Sequence, residues 1–248
     1  MSSLGAVLVV GGTKGIGRAI ALRFSEPGRT VVLVGHRDEE AARTTAAEVA
    51  ERGARPVVVL GDVSTAEGCT EIGSAVAAEV DRLDVVVHGA VRPLPGPLLG
   101  HAPADIEEAI RTGGTSLLHL VRVLDHLLGR GSAVFFLSSL GAQRVVPGYG
   151  AIGVAKATAE AIVRYLAVEL APRGARVNTV SCGPIGTDAY REVFADADAR
   201  LKAMAERTPA GRGTSPEDVA ELVHRLSGPG LEMVQGQHVR VDGGLYLS

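Results

Sequence analysis

Seven short runs of Val, Leu, Ile and Ala recur along the chain, at residues 6–10, 31–34, 57–60, 85–87, 133–137, 177–180 and 239–241. Between them lie segments rich in Ala, Glu and Arg whose apolar residues return at helical spacing. Such an alternation leaves few solutions. Crossovers between parallel strands are right-handed, so the strands join one open sheet, helices cover both of its faces, and a ligand crevice opens beyond the carboxyl ends of the strands. The expected fold is α/β: a doubly wound parallel sheet of about seven strands.

An apolar fraction of 46% with only 3% aromatic residues suits this sheet, because strands covered on both faces are built from aliphatic side chains. At 248 residues the chain fits one such domain, 1–248, and no repeat, low-complexity tract or charged linker divides it. Two stretches lack periodicity: 91–103, with its four prolines, and 183–209. Both follow expected strand ends. They are read as irregular loops walling a substrate, with 183–209 as the main substrate-binding loop.

The first run leads into Gly11-Gly12-Thr13-Lys14-Gly15-Ile16-Gly17 and then a helical segment over 18–24. Glycines between a strand and a helix let backbone N–H groups and the helix dipole hold a pyrophosphate, which points to a Rossmann-type dinucleotide site. A carboxylate ending the second strand would grip a free ribose 2′-hydroxyl, but here Gly35-His36-Arg37 stand and no acid appears until Asp38. Arg37, beside His36 and with Lys14 across the loop, is suited to neutralising a 2′-phosphate. NADPH is therefore expected over NADH. Asp62-Val63 follows the third strand, where a short acid can meet the adenine amino group.

A formal net charge of -3 gives no general attraction to nucleic acid or to anionic membranes. Cys69 and Cys182 stand apart, in no metal-ligand or redox pair, so a reducing compartment and no metal site are expected. The opening apolar run has no basic flank or cleavage site, and no stretch approaches the roughly 20 apolar residues that span a bilayer. A cytoplasmic protein is the simple expectation.

Together, the glycine spacing, Asp62-Val63, Arg176-Val177-Asn178, Gly183-Pro184-Ile185 and the closing Val241-Asp242-Gly243-Gly244 resemble the short-chain dehydrogenase/reductase superfamily over nearly the whole chain. The resemblance implies that Gly89 and Ala90, after the fourth strand, and Pro184, Ile185 and Thr187, after the sixth, also line the cofactor. It implies a homo-oligomer too, most simply a tetramer, in which the helix over 157–170 packs against its symmetry mate.

That superfamily usually carries Tyr-x-x-x-Lys, the tyrosine acting as acid and the lysine holding the nicotinamide ribose. Lys156 fits, but Ile152 stands where the tyrosine is expected. Tyr149 lies seven residues before Lys156, and Ser139 precedes it in Ser138-Ser139-Leu140-Gly141-Ala142. This Tyr-x6-Lys spacing, followed by Arg164-Tyr165-Leu166-Ala167, resembles the bacterial enoyl-ACP reductases of the superfamily. His88-Gly89-Ala90-Val91 replaces the common Asn-Asn-Ala-Gly, and Thr112-Gly113 replaces the helix asparagine often found near the ribose. Both departures leave the proton relay of ketone reductases without its usual residues.

The spacing also makes chemical sense. Helical residues at i and i+7 return to within about 20° of one face, so a phenol at 149 would keep facing Lys156 while moving roughly 4.5 Å along the axis. For a ketone, hydride lands on the carbonyl carbon beside the acid. For an enoyl thioester, hydride lands on C3 and charge gathers on the more distant thioester oxygen, which suits a displaced phenol. Lys14, Lys156 and Lys202 are the only lysines among 25 Lys and Arg residues, and two of them fall in cofactor motifs. Tyr149, Lys156 and Ser139 are the candidate catalytic residues, and Tyr190 and Phe194 candidate channel walls.

Three readings follow. The first is NADPH-dependent reduction of the C2=C3 bond of an enoyl thioester carried on acyl carrier protein or CoA. The second is an atypical ketoreductase of polyketide-like or other specialised metabolites. The third is a catalytically silent dinucleotide-binding sensor, against which the intact Tyr149 and Lys156 argue.

Overall fold

A parallel strand buried on both faces needs no polar alternation, and the inner strands show this directly. The computed structural model describes residues 5–247; residues 1–4 and Ser248, which the sequence reading includes in the domain, lie outside the described residues. The strands are β1 (Ala6–Val10), β2 (Thr30–Gly35), β3 (Arg55–Leu60), β4 (Leu83–His88), β5 (Ala133–Ser139), β6 (Arg176–Cys182) and β7 (His238–Val241). They form one seven-stranded sheet in the order β3-β2-β1-β4-β5-β6-β7, every neighbouring pair parallel. All of β1 is buried, whereas β3 at the edge is half exposed and carries Pro56, tolerated where one row of ladder bonds is unused.

The helices are α1 (Gly15–Arg23), α2 (Glu39–Glu51), α3 (Ala66–Glu79), α4 (Pro103–Ile110), α5 (Ser116–Leu124), α6 (Gly150–Leu170), α7 (Asp188–Val193), α8 (Ala197–Arg207) and α9 (Pro216–Ser227). Odd and even strand positions send side chains to opposite faces. Leu8, Val10, Val32, Val86 and Phe136 pack under α3, α5 and α6, and Val7, Val9, Leu33, Val87 and Phe135 pack under α1, α2 and α9. The doubly wound α/β fold is thus present. No helix among the described residues is long and apolar enough to cross a membrane.

The stretch 183–209, expected as an irregular loop, instead holds α7 and α8. Thr187 caps α7 by accepting from the Tyr190 N–H, and the run Ala-Asp-Ala-Arg-Leu-Lys-Ala-Met-Ala-Glu-Arg of α8 is made of good helix formers. Gly183, Pro184, Gly186 and Pro209 frame these short helices and mask their periodicity. The stretch 91–103 is irregular apart from one short turn at Leu98–Gly100, and its Gly96 N–H donates to the Gly148 carbonyl at 3.0 Å.

Two motif residues prove to be braces of the fold. The buried Arg176 guanidinium donates to the carbonyls of Leu226, Ser227, Gly228 and Leu231, closing the C-terminal end of α9. Asn178 donates to the Val234 carbonyl and accepts from the Gln237 N–H, each at 2.8 Å, and so seats β7.

Candidate active site

The sheet order reverses beside β1, between β2 and β4, and the glycine loop leaves β1 there. Gly11 adopts φ +78 and Gly15 φ +50, conformations that favour glycine. A Cβ on Gly17 would run into the Gly11 carbonyl oxygen, so α1 can approach the loop only with glycine there. Lys14, at the N-cap of α1, makes no side-chain cap, and the first turn holds no acid. By contrast α2, α3, α7 and α9 are capped by Asp38, Thr65, Thr187 and Ser215. The uncapped, positive end of α1 suits a pyrophosphate.

A cavity of about 450 Å³ opens from this loop across the carboxyl ends of β4, β5 and β6. Gly11, Thr13, Lys14, Gly15, Ile16, Gly17, Gly89, Ala90, Ser139, Tyr149, Lys156, Pro184, Ile185 and Thr187 all line it. His36, Arg37, Asp62 and Val63 do not. They stand beyond the ends of β2 and β3, where His36 Nε2 lies 3.9 Å from an Asp62 carboxylate oxygen. Ser64 holds that carboxylate below its usual range, with His36 and Arg37 adding smaller contributions. Lys14 is not a free cation: its ammonium pairs with the Asp38 carboxylate, a pairing that no local pattern signals.

Lys156 is buried at 5% exposure, and its Nζ donates to the Leu137 carbonyl at 2.6 Å while lying 4.9 Å above the Phe136 ring. Burial brings the ammonium down to about 8. Tyr149 is itself the N-cap of α6, with φ -113 and ψ 9, so the helical rise assumed between it and Lys156 starts one residue later, at Gly150. The phenol and the lysine nevertheless line the same cavity. Burial pushes the phenol up to about 12, and the neighbouring Ser139 hydroxyl opposes this without closing an ordinary hydrogen bond; Ser139 Oγ is buried and unpartnered. A Cβ on Gly141 would overlap the Tyr149 ring, so the Leu140-Gly141-Ala142 turn seats the phenol.

Ile152, where an acid is usual, is 2% exposed and belongs to an apolar cluster with Val193, Phe194 and Ala197, against which Val91, Val146, Tyr149 and Tyr190 pack. Tyr149 and Phe194 stack at 6.2 Å and 9°. Tyr190 and Phe194 do line the cavity, joined by Arg200 and Met204 of α8, for which the sequence offered no signal. His88, at the end of β4, is buried, and desolvation drives it down to about 3. Ser116 donates to the Thr112 carbonyl at 2.6 Å and lies 2.7 Å from His88 Nε2, so the neutral ring keeps its proton on Nε2. Thr112-Gly113 falls in a π-helical turn, Arg111–Thr115, whose glycines let it pack on α6.

The arrangement fits a nicotinamide dinucleotide: a cradle that a Cβ would fill, an uncapped helix end, and a lysine, a phenol and an unpartnered hydroxyl grouped at the far end. The family pattern described as Enoyl-(Acyl carrier protein) reductase matches residues 10–246. A Streptomyces collinus protein named 1-cyclohexenylcarbonyl-CoA reductase is 33% identical over 242 residues, 97% of this chain and 86% of that one. The NADH-type enoyl-[acyl-carrier-protein] reductase FabI of Rickettsia bellii is 29% identical over 245 residues, 94% of this chain and 93% of that one. The crystal structure of a point variant of actinorhodin polyketide ketoreductase with NADPH superposes with a TM-score of 0.88 at 30% identity, covering 97% of each chain. The chain is a member of the enoyl-(acyl carrier protein) reductase family of short-chain dehydrogenases/reductases, an NAD(P)H-dependent oxidoreductase.

Proposed function

We propose that this protein reduces the C2=C3 double bond of an enoyl thioester, on acyl carrier protein or CoA, with NADPH. One observation carries the reading: the phenol stands at 149, in the same cavity as Lys156, while the position of the usual acid is the apolar wall residue Ile152. A reduced nicotinamide dinucleotide, its pyrophosphate held at the glycine loop, would supply the hydride for C3. Tyr149, kept protonated by burial, donates a hydrogen bond to the thioester oxygen as enolate charge develops there, and a proton from solvent, taken up at C2, completes the saturated thioester. Lys156 spends one N–H on Leu137 and keeps the others for the ribose hydroxyls, its positive charge favouring the enolate. Ile152, Val193 and Phe194 exclude water and take the apolar acyl group.

Arg37 supports NADPH, as does the cofactor of the ketoreductase structure, whereas Lys14 is offset by Asp38; the FabI relative is named for NADH. The ketoreductase likeness also keeps carbonyl reduction as a second reading. The test is NADPH oxidation with crotonyl-CoA and acetoacetyl-CoA side by side. Turnover of the first above the second is expected, and the reverse order would replace the first reading by the second.

An oligomer built on α6 belongs to the same proposal. Its outer face carries Val154, Tyr165 and Val168, with Tyr165 and Val168 exposed at 72% and 73%, a stripe suited to a second copy. Light scattering should give a tetramer; a stable monomer at micromolar concentration would remove this part.

A further inference from the structure

Two hydroxyls end β5 and face opposite ways. Both residues line the cavity, but the Ser139 hydroxyl is unpartnered whereas the buried Ser138 hydroxyl donates to Glu160 Oε1 at 2.6 Å. Glu160 lies one turn beyond Lys156 on α6 and is itself 7% exposed. Its second oxygen accepts from Gln143 Nε2 at 3.1 Å, and Gln143 belongs to the segment that runs from Ser139 to Tyr149. One carboxylate therefore ties three segments together: the strand end bearing Ser139 and the Leu137 carbonyl that receives Lys156, the turn leading to Tyr149, and the helix bearing Lys156. The reaction as derived above assigns it no role.

Its partners are themselves oriented. Gln143 Oε1 accepts from Arg240 Nη2 at 2.7 Å, and that guanidinium lies 3.6 Å over the Tyr246 ring. The amide nitrogen is thereby turned towards Glu160 and towards His238 Nδ1, 3.1 Å away. His238 Nδ1 stands 3.4 Å from Glu160 Oε1, and Arg164 Nη1 donates to the Glu160 backbone carbonyl at 3.1 Å.

Lys156 needs a counter-charge, and few groups can supply one. From β4 it meets His88, which burial keeps neutral; from β6 Cys182, whose thiol burial pushes up to about 11; from the segment preceding α6 Tyr149, pushed up to about 12. From β7 come only His238 and the cationic Arg240, and from α6 the cationic Arg164. Glu160, held in its charged form by His238, Ser138 and Gln143 against the cost of burial, is the one anion among these groups.

We propose that Glu160 is the positioning residue of this site: its carboxylate holds Ser138 and Gln143 so that Ser139, Tyr149 and Lys156 keep one arrangement, and it stands one helical turn from Lys156 as the counter-charge to that ammonium. The inference rests on the reading of Lys156 as the group that meets the cofactor ribose. It is separable from the choice of substrate.

The test follows NADPH binding by nucleotide fluorescence, and kcat with crotonyl-CoA, from neutral to alkaline pH. Without the carboxylate, Lys156 loses its proton at lower pH, so Glu160→Gln should move the alkaline loss of NADPH affinity and of kcat down by about one pH unit. Glu160→Asp should restore most of the shift. Ser138→Ala keeps the charge and removes one bond, so the limb should stay in place while kcat falls about tenfold. An unmoved binding limb in a folded Glu160→Gln protein overturns the electrostatic half; wild-type kcat in Ser138→Ala overturns the positioning half. Should Glu160→Gln fail to fold, Gln143→Glu on the exposed turn adds a negative charge and should raise the limb, and an unmoved limb there overturns the inference equally. Because the binding titration needs no acceptor, a shifted limb without crotonyl-CoA turnover refutes the enoyl reading and leaves Glu160 its role.

Discussion

The cofactor end and the substrate end of the cavity are built on different principles. At the cofactor end the walls are backbone: glycines at 11, 15 and 17 let strand, loop and helix approach, and the charged groups there, such as the Lys14–Asp38 pair, are about half exposed at 51% and 47%. At the substrate end the walls are side chains, with Ile152, Phe194 and Ala197 buried and Tyr149 stacked on Phe194. Backbone geometry tolerates almost no substitution. Exposed charges can be changed one at a time for small effects, and a buried apolar wall decides which functional group can be served at all.

The sharpest way to break this contrast is at Gly17. A Cβ there meets a backbone oxygen, which cannot rotate away, so Gly17→Ala should cost on the order of 3 kcal/mol of stability and abolish detectable NADPH binding. Thermal melts with and without NADPH check both parts. A variant that melts as the wild type does and is still stabilised by NADPH would show that the backbone cradle is soft.

At the other end, Tyr149→Phe keeps the ring against Phe194 and Gly141 and removes only the hydroxyl. Turnover of crotonyl-CoA should fall by roughly 10²–10³, as for loss of one oxyanion donor, with NADPH affinity little changed. Full activity in this variant would pass the task of the phenol to Ser139 or to solvent. Ile152→Tyr sharpens the comparison further. It overfills a closed cluster, so about 1–3 kcal/mol of stability should be lost, while any gain should appear on acetoacetyl-CoA and not on crotonyl-CoA.

The same contrast explains what could be read before the fold was known. Buried parallel strands are aliphatic on both faces, so β1, β2 and β5 stand out as runs, and the glycine loop announces itself by local spacing. Tyr149 and Lys156 were legible because one helix separates them by a countable interval, although Tyr149 turned out to cap that helix. Partnerships between distant residues were not legible. Ser138 with Glu160, Gln143 with Arg240, and Ile152 with Val193 and Phe194 are brought together by the sheet order, to which no local pattern points. α7 and α8 were hidden for a different reason: they are short, and the Gly and Pro residues around them read as loop.

The smallest expected effect lies at the exposed charges, where it also tests the proposed preference for NADPH. In the sequence Lys14 reads as a free cation for the 2′-phosphate, yet it pairs with Asp38, which also caps α2 by accepting from the Ala41 N–H at 3.0 Å. Hydrogen bonding to Asp38 raises the lysine and lowers the carboxylate, so both are charged throughout the neutral range and the pair presents little net charge to a phosphate. That leaves Arg37 as the cation not offset by this carboxylate. Arg37→Ala should therefore weaken NADPH by about tenfold and NADH hardly at all. Asp38→Asn keeps a side-chain oxygen for the cap and releases Lys14, so it should improve the NADPH:NADH ratio of kcat/KM, but only about threefold, because both groups are solvated. Raising the salt concentration should shrink that gain, since it is carried by screened surface charge. If Asp38→Asn leaves the ratio unchanged at low salt while Arg37→Ala lowers it, Lys14 belongs to the pyrophosphate loop alone, and Arg37 by itself reads the phosphate.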